Sequence, residues 1–166
     1  MRRAIGPRGR AAVLLIEKMA DFGGSSLMSG ASFAFAGTSQ QKDQGIDDTP
    51  DLLRKDLLEV GGHKNDPALV DLYVDNQLDT YGWLKQAGVE FHPVQLSSNM
   101  SAARGHPTFP RQVFGVLHPR LAEAGVEYAA STAATALHAD GDGRVRKVDL
   151  SVNGESRSIR VNKGVI

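Results

Sequence analysis

The sequence predicts an α/β fold with a helical segment inserted in its middle and an antiparallel β-meander towards its end. Three observations carry this. Val13-Leu14-Leu15-Ile16 is a continuous apolar run rich in β-formers, the mark of a strand covered on both faces as in a parallel sheet. Between Thr49 and Gly88 apolar residues recur at three- and four-residue intervals, the period of helices that bury one face. From Val126 the pattern changes to strands separated by Asp140-Gly141-Asp142-Gly143 and Asn153-Gly154, both hairpin signals.

Each element has a local reason. The first strand ends on Glu17 and runs into the turn cluster Asp21-Phe22-Gly23-Gly24-Ser25-Ser26. Residues 28–38 are small and apolar, a composition that lets backbone approach a ligand or a neighbour closely. Thr49-Pro50-Asp51 supplies an N-cap hydroxyl, a first-turn proline and an acid beside the helix dipole, and Gly61-Gly62 stops that helix. Asp66-Pro67 opens a second helix whose apolar face is read through Leu69/Val70, Tyr73/Val74, Leu78, Tyr81 and Leu84, with Gly88 placed to end it in a left-handed cap. On this helix Tyr73, Tyr81 and Trp83 are expected in the core. Val89-Glu90-Phe91 reads as a short strand, and residues 95–109 as an irregular polar stretch. A third helix is read from near Pro110 to Ala124-Gly125, with a kink or a late start expected at Pro119, which lacks the N–H a helix interior needs. Residues 126–138, 144–152 and 156–161 then read as strands, and Gly164-Val165-Ile166 as the start of another.

Composition bounds the function. A length of 166 residues suits one domain with a real core. Nineteen basic residues balance 19 acidic ones, which argues against a nucleic-acid partner. The absence of cysteine excludes disulfides, thiolate nucleophiles, iron–sulfur ligation and Cys-type zinc sites. No apolar run approaches the roughly 20 residues that span a bilayer. Residues 1–11 read as a disordered basic arm carrying Arg2, Arg3, Arg8 and Arg10. The apolar run after it is shorter than the roughly 7–15 residues of an export signal, so the expected location is the cytoplasm.

The chemistry concentrates where the first strand ends. An acid closing a buried strand can accept hydrogen bonds from ribose hydroxyls, and a following Gly-Gly pair lets backbone N–H groups reach a pyrophosphate. Glu17 with Gly23-Gly24-Ser25-Ser26 has that order. Ser25 and Ser26 lack the Gly-x-Ser-x-Gly elbow of a hydrolase. The five histidines show no ligand spacing, and no metal site is expected. Arg104 and His106, two residues apart, could face a substrate carboxylate, since a guanidinium fork suits one.

The run LLIEKMADFGGSSLMSGASFAFAGT resembles the second strand and flavin-side loop of the FAD-dependent fumarate reductase/succinate dehydrogenase flavoprotein family, which includes soluble flavocytochrome fumarate reductases and 3-ketosteroid dehydrogenases. Asn65-Asp66-Pro67-Ala68-Leu69-Val70, Trp83-Leu84 and Gly88-Val89 fall where that family has its two-helix insertion. Arg104-Gly105-His106 is similar to its Arg-x-His stretch. The resemblance covers about residues 12–166. It implies an incomplete dinucleotide-binding (Rossmann-like) FAD domain with a helical insertion at 45–90 and an antiparallel β-meander at 126–161. It implies Glu17 at the adenosine ribose, Gly23, Gly24 and Ser25 at pyrophosphate or ribityl oxygens, Gly30 and Ala31 at the isoalloxazine, and Ala133 or Ala134 at adenine, with Lys18 and Ser26 also among the cofactor-binding residues. No histidine follows the Gly-Gly turn, so the implied FAD is non-covalent. Gly6-Pro7-Arg8-Gly9 does not supply the family's Gly-x-Gly-x-x-Gly loop, and its capping-domain catalytic residues have no counterpart here. The chain is thus expected to be a piece of a larger flavoenzyme, truncated at both ends and prone to self-association through exposed edges. Its small-molecule substrate would be a dicarboxylate or a steroid. The competing expectation is a non-catalytic remnant with little or no FAD binding.

Overall fold

The computed structural model describes residues 11–166; the expected basic arm therefore lies, but for Ala11, outside the described residues. In chain order the elements are β1 (Val13–Ile16), a 3₁₀ turn (Gly24–Met28), β2 (Ser32–Ala34), α1 (Ser39–Asp43), α2 (Pro50–Val60), α3 (Pro67–Ala87), β3 (Gly105–Pro107), α4 (Pro110–Leu117), α5 (Pro119–Glu123), β4 (Val126–Ala129), β5 (Thr132–Ala139), β6 (Val145–Val152) and β7 (Glu155–Arg160). The described chain divides into two compact units. One takes the residues up to Ser25 together with Leu117–Ile166, the other Ser26–Val116. Among the described residues no helix is long and apolar enough to cross a membrane.

In the first unit β1 pairs in parallel with β4, Val13 opposite Val126 and Ile16 opposite Ala129. The strand expected over 126–138 is two strands. The chain bends at Ala130 and Ser131, with Ser131 at φ 48, and the bend is held by the end of β1: Ser131 N–H donates to the Met19 carbonyl and Thr132 N–H to the Glu17 carbonyl, both at 2.8 Å. β4 therefore joins β1, and the meander begins only at β5. β5, β6 and β7 pair antiparallel in that order, with a register shift in β5 between Ala134 and Ala136. Asn153 (φ 50) and Gly154 (φ 87) make the two-residue β6–β7 turn, whose positive φ values match the twist of the flanking strands. Val148 and Leu150 bury one face of β6. The strand expected from Gly164 does not form, and residues 162–166 are exposed.

In the second unit the helix signals act where they stand. Thr49 caps α2 by accepting the Leu52 N–H, and Asp66 caps α3 by accepting the Ala68 N–H. Gly88, at φ 101, ends α3 in the left-handed region. Where the chain leaves this unit, α4 ends at Leu117 and α5 begins at Pro119, whose missing N–H bars a continuous helix. α1 has no counterpart in the sequence reading; Thr38 and Gln41 form a reciprocal capping box at its start. Ala36, Leu53, Val70 and Val74 make a core cluster, with Leu57 and Leu58 packed against it. Tyr81 is buried as expected, but Tyr73 and Trp83 are half-exposed and Leu69 and Leu78 are exposed, because the buried stripe of α3 runs through Val70, Val74, Gln77, Tyr81 and Leu84. Val89-Glu90-Phe91 is not a strand. The pairing lies further on, where His92 N–H donates to the Pro107 carbonyl and Gln95 bridges Gly105. The stretch expected to be irregular thus contains β3, which pairs antiparallel with β2.

Candidate functional site

Glu17 sits at the carboxyl end of β1, the end at which open parallel sheets bind ligands. Its backbone is fixed on both sides: Glu17 N–H donates to the Ala129 carbonyl at 2.9 Å, and its own carbonyl accepts from Thr132. Its carboxylate accepts the Met19 N–H through Oε1 at 2.8 Å, which folds the side chain over the turn and leaves Oε2 without a protein partner among the described residues. Lys18 follows it, exposed. Gly23 (φ 105) and Gly24 (φ 46) both lie in the left-handed region, where an L side chain is strained. A Cβ at Gly24 would meet nothing within 4 Å, so the turn's backbone is open to approach. Ser25 lies exposed in the 3₁₀ turn.

Two buried hydrogen-bonding groups of this unit, the Tyr128 hydroxyl on β4 and His118 Nε2, have no partner among the described residues. The His118 ring lies between Phe22, stacked at 4.5 Å, and the edge of Tyr128 at 4.8 Å. Burial pushes the Tyr128 hydroxyl above its ordinary range, and the charges of Glu17 and Asp21 push it the same way. Ala133 and Ala134 lie in the β5–β6 ladder opposite Ser151 and Leu150.

In the second unit Ser26 and Ser29 shape the segment after the glycines. The Ser29 hydroxyl donates to the Ser26 carbonyl at 2.8 Å, and Ser29 Oγ accepts the Ala31 N–H at 3.2 Å. Gly30 is exposed and a Cβ there would meet nothing within 4 Å. Ala31 is held at φ 43.

Arg104 and His106 do not face solvent. Arg104 is 1% exposed and His106 fully buried. The guanidinium fork expected for a substrate carboxylate is filled by the chain itself. Nε and Nη2 donate to the two oxygens of Asp48 at 3.0 and 2.8 Å, and Nη1 donates to Asp56 Oδ2 at 2.8 Å. Burial raises the Asp56 carboxyl, but the Ser101 N–H and hydroxyl and the Arg104 charge outweigh it and hold the group below its usual range. His106 Nδ1 donates to the Arg104 carbonyl at 2.8 Å, leaving Nε2 to accept from the Thr38 hydroxyl at 2.9 Å. Its ring packs edge-on against Phe35, Tyr81 and Phe91. Burial lowers its pKa, against the smaller pull of the Arg104 and Phe33 backbone and of Asp48. Gln41 joins the network, donating to Asp48 and to the Ala103 carbonyl, both at 2.8 Å. Asp48, Asp56 and Gln41 carry no motif. The one available signal is Asp56, which stands in the leucine stripe of α2 where an unpaired acid would be untenable.

Comparison with known proteins identifies the family. A family model described as FAD binding domain matches residues 1–166. The chain belongs to this FAD-binding family. The "Fumarate reductase (cytochrome)" of Shewanella frigidimarina is 33% identical over 96 residues, 58% of this chain and 17% of that protein. The open conformation of a flavocytochrome c3 fumarate reductase shares the fold with a TM-score of 0.82 and 22% identity, over 89% of this chain and 27% of that one. The 3-ketosteroid-delta4-(5alpha)-dehydrogenase of Rhodococcus jostii RHA1 does so with a TM-score of 0.78 and 20% identity, over 89% of this chain and 38% of that one. Matches to curated relatives span 10% to 32% of those proteins' own length. FAD is the cofactor the family implies, and the open glycine turn, with a Glu17 oxygen and the Tyr128 hydroxyl lacking partners among the described residues, fits a polar dinucleotide.

Proposed function

We propose that this chain holds FAD non-covalently as part of a flavin-dependent oxidoreductase acting on a carbon–carbon bond. The observation that carries the proposal is Glu17, fixed at the carboxyl end of a parallel strand with one carboxylate oxygen unpartnered among the described residues and an open glycine turn behind it. In this reading Glu17 accepts the adenosine ribose hydroxyls, with Lys18 beside it. Gly23, Gly24, Ser25 and Ser26 offer hydrogen bonds to pyrophosphate and ribityl oxygens, Gly30 and Ala31 offer backbone to the isoalloxazine, and Ala133 or Ala134 to adenine. Non-covalent attachment is favoured because Ser25-Ser26-Leu27-Met28 offers no histidine after the glycines. When bound, FAD supplies hydride transfer between its N5 and a substrate carbon. The names of the fumarate reductase relative and the ketosteroid dehydrogenase neighbour favour a dicarboxylate substrate first and a steroid second.

Titrating the purified chain into FAD and following flavin fluorescence tests the proposal. Glu17→Ala removes a charged acceptor whose hydrogen bond contributes about 1.5–3 kcal/mol, so the dissociation constant should rise about ten- to hundredfold. An unchanged constant refutes the ribose assignment. A colourless wild-type chain that takes up no added FAD would instead make it a non-catalytic remnant. The same reading keeps the protein in the cytoplasm, which cell fractionation tests. It also expects self-association through β1, whose Val13 and Leu15 are 48% and 44% exposed; size-exclusion profiles independent of concentration would refute that.

A further inference from the structure

We infer that Arg104 is a positioning residue for the flavin-facing backbone: its buried lock on Asp48 and Asp56 fixes β3, and β3 fixes the Gly30–Ala31 turn that leads into β2. The inference rests on the assignment of Gly30 and Ala31 to the flavin ring made above. Ala31 lies at φ 43, where a residue with a Cβ persists only if its surroundings hold it. Two bonds do so. Its N–H donates to Ser29 Oγ at 3.2 Å, and its carbonyl accepts the Thr108 N–H at 2.9 Å. Thr108 directly follows β3, and the rest of β3 runs along β2, with Ser32, Phe33 and Ala34 opposite Pro107, His106 and Gly105. Phe35 N–H closes the ladder on the Arg104 carbonyl at 3.1 Å.

A ribbon of two three-residue strands does not hold itself in place. The side chains at every second position do it: Arg104, His106 and Thr108 are all buried. Arg104 ties β3 to Asp48 and to Asp56 of α2. His106 ties it to Thr38, the cap of α1. The Thr108 hydroxyl lies 2.8 Å from both the Glu90 carbonyl and Gln112 Oε1. A buried ion pair adds little net stability compared with apolar packing, but the planar fork on a carboxylate admits one geometry. That geometry reaches Ala31 through the ladder. Arg104 thus sets where the flavin-side backbone stands without touching the ring.

The test compares the full wild-type chain with Arg104→Lys, which keeps the charge but loses the fork, and with Asp48→Asn, which leaves the Arg104–Asp56 pair intact. Thermal melts establish that each is folded. Amide exchange without FAD reads the lock directly: protection at Phe35 and Thr108 should fall about tenfold in Arg104→Lys, with Val148 and Leu150 unmoved. In the same variant the FAD dissociation constant should rise about tenfold and the visible flavin band should move towards that of free FAD. Asp48→Asn should show both changes to a smaller degree. Unchanged exchange overturns the inference. So does faster exchange with the flavin band and affinity unmoved, because Arg104 would then be structural only. Unfolding of both variants would overturn it as well, since the lock would be a foundation of the fold. A wild-type chain that leaves FAD fluorescence unquenched refutes the cofactor assignment and the flavin half of the inference, while the exchange measurement still decides whether Arg104 holds Ala31.

Discussion

Replacing Gln77 tests how the second unit is held together more sharply than truncating any leucine. Gln77 stands in the middle of the buried stripe of α3, 2% exposed, and its amide does for Ala36 what a neighbouring strand would. Oε1 accepts the Ala36 N–H at 2.9 Å and Nε2 donates to the Ala36 carbonyl at 3.0 Å. Ala36 is fully buried, so water cannot replace either bond. In Gln77→Leu both backbone groups lose their partner, each costing about 1–3 kcal/mol. A buried leucine in place of an amide offsets part of that, leaving a net loss of about 2–3 kcal/mol. The urea midpoint should then fall by about 1 M with an unchanged slope. Gln77→Glu adds a sign test. Ionised glutamate can accept from Ala36 but cannot donate to its carbonyl, so burial and that carbonyl should raise its folded-state pKa above the unfolded value. Its stabilising contribution is then fully present below the ordinary carboxylate range and is lost as pH rises through the raised value. A Gln77→Leu midpoint equal to wild type would refute the pairing argument, as would a Gln77→Glu variant whose stability relative to wild type does not improve in acid.

Phe35→Ala removes the ring that Phe33, Tyr81, Phe91 and His106 surround, and should destabilise the chain by about 3–5 kcal/mol in chemical denaturation. Asp66→Ala deletes the cap on the Ala68 N–H and should cost about 1 kcal/mol, seen as a small fall in melting temperature with the helix signal intact. Burial lowers the His106 pKa, so the imidazole is neutral in the fold and the unfolded chain takes the proton first. Its contribution is present above the unfolded value and lost as pH falls through it towards the folded one. Melting temperatures of wild type and His106→Gln should therefore converge on going from pH 7 to pH 5, and parallel curves would contradict this.

What could be read from the sequence, and what could not, divides by how far the deciding interaction reaches. The ends of α3 were legible because Asp66-Pro67 and Gly88 act within one turn, and a disturbance of the helix at Pro119 because the missing N–H belongs to the proline itself. The β6–β7 turn was legible for the same reason: Asn153-Gly154 tolerates positive φ at both positions. The division of the 126–138 run was not, since nothing in Ala130-Ser131 forbids a strand. The bend exists because Met19 and Glu17, more than a hundred residues earlier, accept its N–H groups. Gln77 and Asp56 stand in otherwise apolar stripes, and their roles come from partners distant in the chain, Ala36 and Arg104. The candidate site follows the same division. Glu17 and the glycines form one contiguous pattern and could be singled out from it, whereas the role of Arg104 turns on carboxylates 48 and 56 residues away. Spacing alone suggested that an Arg-x-His pair offers a fork to a substrate. Burial reverses the inference, because a guanidinium 1% exposed, with its fork already on Asp48 and its other edge on Asp56, presents no open face to a third carboxylate, and what it can still transmit is position.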